Sequence, residues 1–369
     1  MPATFAFSTN RDPILASREL VAGLGTAGAG LVIFFASTLY DPQTLAKAMA
    51  DAFPKARTCG CTTAGEIVSG YMLRHSVVAM ALGPDVIAGA QIGTVTGLRD
   101  TDFDLGPVFR SFELFFQEPV EEMDTERYVG LVLVDGLSMA EERIMDRLGD
   151  RSQLVFLGGS AGDDLAFQKT HVFADGQALS DAALFVLLKT VRGFHVLKSQ
   201  SFEVLDKALT ATRVDETRRE VMEFDGEPAA LAYARALGLS LDRAGSMFRS
   251  NPLGLMVGNE PYVRSPQQFK DQSMIFFCTV VQGMELHLLQ SGDIVEVTRR
   301  DLDAALAAIG HAAGCINFNC ILRTLELDAR GQLDAYARLF ATIPTVGFST
   351  YGEEYIGHIN QTATMLLLK

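Results

Sequence analysis

Tryptophan is absent from the 369 residues, and cysteine is scarce, with five thiols at Cys59, Cys61, Cys278, Cys315 and Cys320. The cysteine count is odd and no pair has CxxC spacing, so neither a disulfide framework nor a zinc ribbon is expected. Reduced thiols and the lack of an opening secretory h-region make a cytoplasmic location the expectation. Six histidines, at 75, 171, 195, 287, 311 and 358, show no HExxH or HxH spacing. The carboxylates show no metal-cage pattern, so a zinc or calcium site is not expected. Positive charge is short: 31 Lys and Arg stand against 45 Asp and Glu, a net charge of −14. That balance disfavours nucleic acid and anionic membrane as partners. No apolar run approaches the ~20 residues that span a bilayer.

What is present is core material and a repeat. Hydrophobic residues make up 48% of the chain and charged residues 21%, which supports a sizeable core and argues against long disorder. The length suggests about two domains. One short motif is written three times: Gly60-Cys61-Thr62-Thr63-Ala64-Gly65-Glu66, Gly158-Gly159-Ser160-Ala161-Gly162-Asp163 and Gly347-Phe348-Ser349-Thr350-Tyr351-Gly352-Glu353. Each copy follows an apolar strand-like run (31–35, 130–134, 315–322), a helix with core spacing and a second short run. Leu45, Met49 and Phe53 mark the first helix, Ile144 and Leu148 the second, and Leu333, Tyr336 and Phe340 the third. The repeating unit is strand, helix, strand, Gly-acid turn, strand, an α/β (α+β) fold with mixed sheets. The motif predicts that Gly65, Gly162 and Gly352 are equivalent, with positive φ.

Further strands are expected at 75–82, 86–94, 169–173 and 182–189, and a helix over 107–116 with Phe109, Phe112 and Phe116 on one face. Asp175-Gly176 reads as a hairpin turn. In the second half, 216–224 and 228–237 read as helices joined by Asp225-Gly226. Strands follow at 253–257, 273–279 and 286–289. An Ala-rich helix is expected over 301–313, with Asp301 and Asp303 in its first turn.

Few residues carry chemistry by their spacing. His358 opens the last strand after the third turn, and His75 holds a similar place after the first. Either could be an axial haem ligand, which takes a single imidazole, or a hydrogen-bonded structural histidine. His311 suits the end of its helix as a cation. Cys61 could be a nucleophile in a Gly-bounded turn, but no histidine is near it in sequence; a buried small hydrophobe is the plainer reading. Ser160 lacks full GxSxG spacing. The Gly-rich turns do not open helices, which argues against phosphate cradles. Arg323 could pair a ligand carboxylate or propionate, or a salt bridge to Glu326 or Glu353.

Together, the run 31–37 and the first two turns resemble the N-terminal FIST sensory domain. The segment 223–237, Asn319-Cys320-Ile321-Leu322-Arg323, the third turn and His358-Ile359-Asn360-Gln361-Thr362 resemble its C-terminal partner domain. The resemblance implies two domains, 1–212 and 213–369, and a sensor of small ligands in intracellular signalling rather than an enzyme. Within that family the chain is most similar to stand-alone bacterial nitric-oxide-sensing haemoproteins, on Arg11-Asp12-Pro13, the run 31–35, His75-Ser76 and the lack of an appended output domain. That likeness implies haem, with His358 or His75 on the iron and Arg323 on a propionate. It implies a histidine kinase, diguanylate cyclase or cyclic-di-GMP phosphodiesterase as partner, with no nucleic acid and no membrane; a homodimer is left open. The alternative is a sensor of a small polar metabolite such as an amino acid, gripped by Arg323, Asn319, Glu353 and Asn360. A hydrolase using Cys61 or Ser160 is the third reading.

Overall fold

A computed structural model describes residues 3–25, 28–100 and 102–369. The first repeat runs β1 (Thr4–Ser8), α1 (Pro13–Leu24), β2 (Leu31–Ala36), α2 (Pro42–Ala52), β3 (Arg57–Thr62), β4 (Glu66–Val68), β5 (Tyr71–Leu73) and β6 (Val77–Leu82). Asp12 and Asp41 cap α1 and α2 from positions directly before a proline, where the missing N–H costs nothing. The second repeat runs β7 (Ile87–Thr96), α3 (Gly106–Phe116), β8 (Tyr128–Val134), α4 (Glu141–Gly149), β9 (Phe156–Ser160), β10 (Val172–Ala174), β11 (Gln177–Leu179) and β12 (Ala182–Thr190).

The third repeat opens with β13 (Phe194–Ser199) and is then interrupted. The interruption holds β14 (Phe202–Asp215), β15 (Glu220–Phe224), β16 (Glu227–Pro228), α5 (Ala229–Leu237), α6 (Leu241–Ala244), β17 (Leu253–Val257), β18 (Glu260–Arg264), β19 (Pro266–Lys270), β20 (Ser273–Phe276) and β21 (Glu285–Ser291). The repeat then resumes with α7 (Ile294–Ile309), β22 (Gly314–Cys320), α8 (Ile321–Ala329), α9 (Leu333–Arg338), β23 (Thr345–Thr350), β24 (Glu353–Tyr355), β25 (His358–Ile359) and β26 (Ala363–Leu368).

The chain divides into two compact units, neither of them a single stretch. Unit 1 comprises 1–198, 299–358 and 363–369; unit 2 comprises 199–298 and 359–362. Unit 2 is an antiparallel sheet of order β18-β17-β21-β14-β15-β20-β19, with β16 beside β15. Tyr233, Phe224, Phe276 and Leu253 lead its core.

Unit 1 holds three six-stranded sheets built alike. In each, a central strand (β2, β8, β22) pairs in parallel with the strand before the turn (β3, β9, β23). On its other side lies an antiparallel strand (β6, β12, β26). The hairpin after each turn leaves its own sheet. β4-β5 joins β23, β10-β11 joins β3, and β24-β25 joins β9, so the second and third repeats each lend a hairpin to the one before, and the first lends its hairpin to the third, closing a cycle. The inner faces meet in one core, where Phe35, Leu133 and Phe318 occupy equivalent places. The outer faces of the first two sheets form further apolar layers with their helices. β2 and β8, covered by apolar layers on both sides, have no solvated face, hence their unbroken apolar runs.

Several local expectations change. Residues 220–224 form a strand, not a helix, because they sit as a rung between β14 and β20. Asp225-Gly226 is a hairpin turn, with φ of 53° and 78°. The Ala-rich helix begins at Ile294, so Asp301 and Asp303 lie in its middle and His311 lies beyond its end. The third apolar run ends at Cys320; Arg323 belongs to α8.

Candidate functional site

The three turns meet. Ala64 N donates to Ser349 O at 3.2 Å, Gly162 N to Thr62 O at 2.9 Å, and Tyr351 N to Ser160 O at 3.0 Å, closing a ring. The ring fixes the true alignment of the repeats, one residue away from the sequence reading in the second copy. The equivalent glycines are Gly60, Gly158 and Gly347, where a Cβ would collide with the carbonyl of Phe34, Val132 or Asn317 on the parallel neighbour. Glycine is required there for space rather than for φ. Gly65 aligns with Asp163 and Gly352, and of these only Gly65 has positive φ, at 135°. Cys61 aligns with Gly159 and Phe348.

The repeats then serve as controls for one another. Phe34 and Ala36, like Val132 and Val134, pack in apolar outer layers. Their third-repeat equivalents are Asn317 and Asn319, both fully buried. Around them lie Arg323 (1% exposed), Thr324, Tyr336 and Ser349. Arg323 Nε donates to Asn319 Oδ1 at 3.0 Å, and its guanidinium lies 5.9 Å from the Tyr336 ring centre. Tyr336 Oη donates to Asn319 Oδ1 at 3.1 Å, and Asn319 Nδ2 to Thr324 Oγ1 at 2.9 Å. Thr324 and Ser349 share a hydrogen bond of 2.8 Å. Asn317 Oδ1 is buried without a partner. Polar groups out of water at a place two sister repeats keep apolar are costly, and local rules are broken most often at sites of function.

A second polar departure lies on the second sheet. Glu354 pairs opposite Gly158, where the sister hairpins hold Ile67 and Phe173. It is fully buried with His358, Glu141 and Ser160. His358 Nδ1 lies 3.3 Å from Glu354 Oε1, and Ser160 Oγ donates to Glu354 Oε1 at 3.1 Å and to Glu141 Oε1 at 3.3 Å. Burial disfavours charge on His358, but Glu354 outweighs it, with help from Glu142 and Glu141, and raises the imidazole above its usual range, while burial raises the Glu354 carboxyl in turn. Gly352 leaves room for that ring, because a Cβ would strike it.

The remaining candidates are spread out. His75 is exposed and left-handed, with φ of 59°, directly before Ser76 and β6. Its equivalents are Asp181 (φ 49°) and Gln361 (φ 53°), not His358. Glu353 is buried and accepts from Thr350, as Glu66 accepts from Thr63. Asn360 is 1% exposed and groups with unit 2; both its amide atoms are buried without partners. Cys61 is fully buried, and burial pushes its thiol well up. Ser160 bonds the buried carboxyl groups of Glu354 and Glu141. Among the described residues, no group of three or more His, Cys, Asp or Glu is arranged to hold a metal ion.

Residues 30–227 match the FIST N domain, and residues 229–355 match the FIST C domain. The chain belongs to the FIST family. FIST domains are sensory, ligand-binding domains of signalling proteins. The chain is also similar to an uncharacterised protein of Methanocaldococcus jannaschii, 23% identical over 301 residues, 76% of this chain and 57% of that one. It thus spans a little over half of that relative's length. The FIST N match runs through two repeats and into unit 2, and the FIST C match returns to the third repeat, so the three-sheet body draws on both.

Haem in this FIST protein would need an imidazole facing space. The donor chemistry of His358 fits, since metal-bound imidazoles carry a carboxylate on the other nitrogen. The space does not: the side chain is 2% exposed and the ring lies on the Gly352 backbone. Sequence reasoning missed Glu354, Glu141 and Asn317 and took Tyr336 for core. Aligning the repeats on Gly60, Gly158 and Gly347 would have exposed Glu354 and Asn317 as polar residues in apolar columns.

No described helix is long and apolar enough to cross a membrane.

Proposed function

We propose that this FIST protein senses a small polar ligand through the polar layer of its third repeat and reports it to a partner signalling enzyme, a histidine kinase or a cyclic-di-GMP enzyme. One observation carries the reading: Asn317 and Asn319, hydrogen-bonded to Arg323 and Tyr336, stand where both sister repeats keep apolar residues. An anionic or zwitterionic metabolite such as an amino acid matches a guanidinium flanked by amides and hydroxyls. The chain acts by binding rather than catalysis. The complete burial of Cys61, which pushes its thiol well up, supports this.

Calorimetry against a panel of amino acids and carboxylates tests the proposal. Binding by the native protein that is lost in Arg323→Met, with the fold retained by circular dichroism, is the expected result; unaltered binding in that variant overturns it. The second reading, a haem-binding nitric oxide sensor, draws on the carboxylate at His358 Nδ1. A Soret band on haem titration that is altered in His358→Ala would favour it over the first. A band altered in His75→Ala instead would move the ligand to His75.

A further inference from the structure

Each exchanged hairpin ends in a two-residue turn, and the three turns are equivalent: Ser69-Gly70, Asp175-Gly176 and Ile356-Gly357. Two are pinned to the sheet they join. Ser69 Oγ donates to Ile343 O and accepts from Thr345 N, both at 2.8 Å. Asp175 accepts from Arg57 Nε at 2.8 Å and Thr58 N at 3.0 Å, while Gln43 of α2 donates to Gly176 O at 2.8 Å. The third turn has Ile356 in the pinning position. It is 70% exposed and held at φ 53°, a strained conformation for a β-branched residue.

Beside this turn lies a cavity of about 650 Å³, within the range of small-molecule sites. Met145, Leu148, Phe156 and Ile356 supply apolar wall; Asp146 and Asp150 supply charge. Along α4 and its C-cap, Glu142, Asp146 and Asp150 follow at i, i+4, i+8, so like charges neighbour one another. Burial, then Asp150 and Glu142, push the Asp146 carboxyl up. The arginines of the same stretch point to other partners. Arg143 bonds Leu98 O at 2.7 Å, Arg147 lies 4.1 Å over the Phe103 ring, and Arg151 pairs with Asp104 at 3.2 Å.

We propose that this cavity binds a small organic cation with an apolar body, an alkyl- or arylamine or an alkylguanidine. Its apolar part fills the space that the sister turns close, and its cation relieves the repulsion between Asp146 and Asp150. The site is separate from the polar layer of the third repeat. It has a route to the ring of turns, because Gly357 leads directly into His358, whose ring rests on Gly352.

The chain has no tryptophan, so Ile356→Trp introduces a single fluorescent reporter. Phenethylamine and butylguanidine are expected to shift its emission saturably, whereas 2-phenylethanol and phenylacetate are not. Calorimetry on the unmodified protein is expected to show the same selectivity without the reporter. Asp146→Asn with Asp150→Asn is expected to weaken amine binding at least about tenfold, with an unchanged circular dichroism spectrum. Asp150→Asn alone is expected to weaken it less. The proposal is overturned if the neutral alcohol binds as tightly as the amine, if the double variant keeps full affinity, or if no amine binds the unmodified protein at millimolar concentration.

Discussion

A single glycine in each repeat decides whether two parallel strands can close. Gly60, Gly158 and Gly347 face a neighbouring carbonyl that a Cβ would overlap. Gly158→Ala is therefore expected to destabilise by about 3 kcal/mol, the cost of forcing backbone apart in a packed core. Gly149, with nothing within 4 Å of its would-be Cβ, is the contrast. Gly149→Ala is expected to be neutral or to stabilise by about 0.5 kcal/mol. Urea melts of the two variants check this, and equal effects would show that the close approach is unimportant.

Glu66 sets a pH dependence at the same scale. Burial raises its carboxyl from 4.5 to about 7, against the hydrogen bonds from Ser76 and Thr63 that favour the anion. The folded state thus holds this proton more tightly than the unfolded chain. Its contribution is full below pH 4.5 and is lost as pH rises to about 7. Relative to Glu66→Gln, the native protein is expected to lose up to ~3 kcal/mol across that window. A difference that stays flat between pH 4.5 and 8 would contradict this.

Among the elements, the loop from Asp163 to His171 has no counterpart in the other repeats and is held by two carboxylates: Asp164 accepts from Ser37 Oγ at 2.8 Å and Thr38 N at 3.0 Å, and Asp163 gathers the loop's own amides. Asp164, Leu165 and Phe167 all have positive φ. Asp163 accepts from Phe167 N at 2.8 Å, Gln168 N at 2.6 Å and Lys169 N at 2.9 Å, and Tyr351 Oη bonds the same side chain at 2.5 Å. Phe167 stacks on Tyr351 at 4.8 Å. Asp163→Ala is expected to cost about 2–3 kcal/mol through those unmet amides and to admit proteolysis at 164–169. Limited trypsin digestion at Lys169 gives the readout; a loop as resistant as in the native protein would refute it.

Over the whole molecule, exchanged hairpins make each sheet depend on two repeats, so unit 1 is expected to unfold in one step. The native cysteines report this. Cys59 and Cys61 lie in the first repeat, Cys315 and Cys320 in the third, and Cys278 in unit 2, all of them buried. Under rising urea the first four are expected to become reactive to a thiol reagent at one concentration. Labelling of Cys61 well before Cys315 would show that the repeats unfold separately.

The sequence by itself determined the repeat, its strand-helix-strand order and the buried character of the central strands. These are local signals: period, turn chemistry and apolar runs. It also placed Arg323 and Asn319 among the residues to watch. Only the tertiary structure decided where the hairpins go, because strand exchange leaves no mark on the strand that is exchanged. For the same reason the one-residue offset of the second motif was invisible until the ring of turns fixed the alignment. The polar layer around Asn317 and the pairing of Glu354 with His358 are likewise products of assembly. Glu354 follows an acidic turn in the sequence; it is buried because its hairpin crosses to another repeat and lays that side chain against α4.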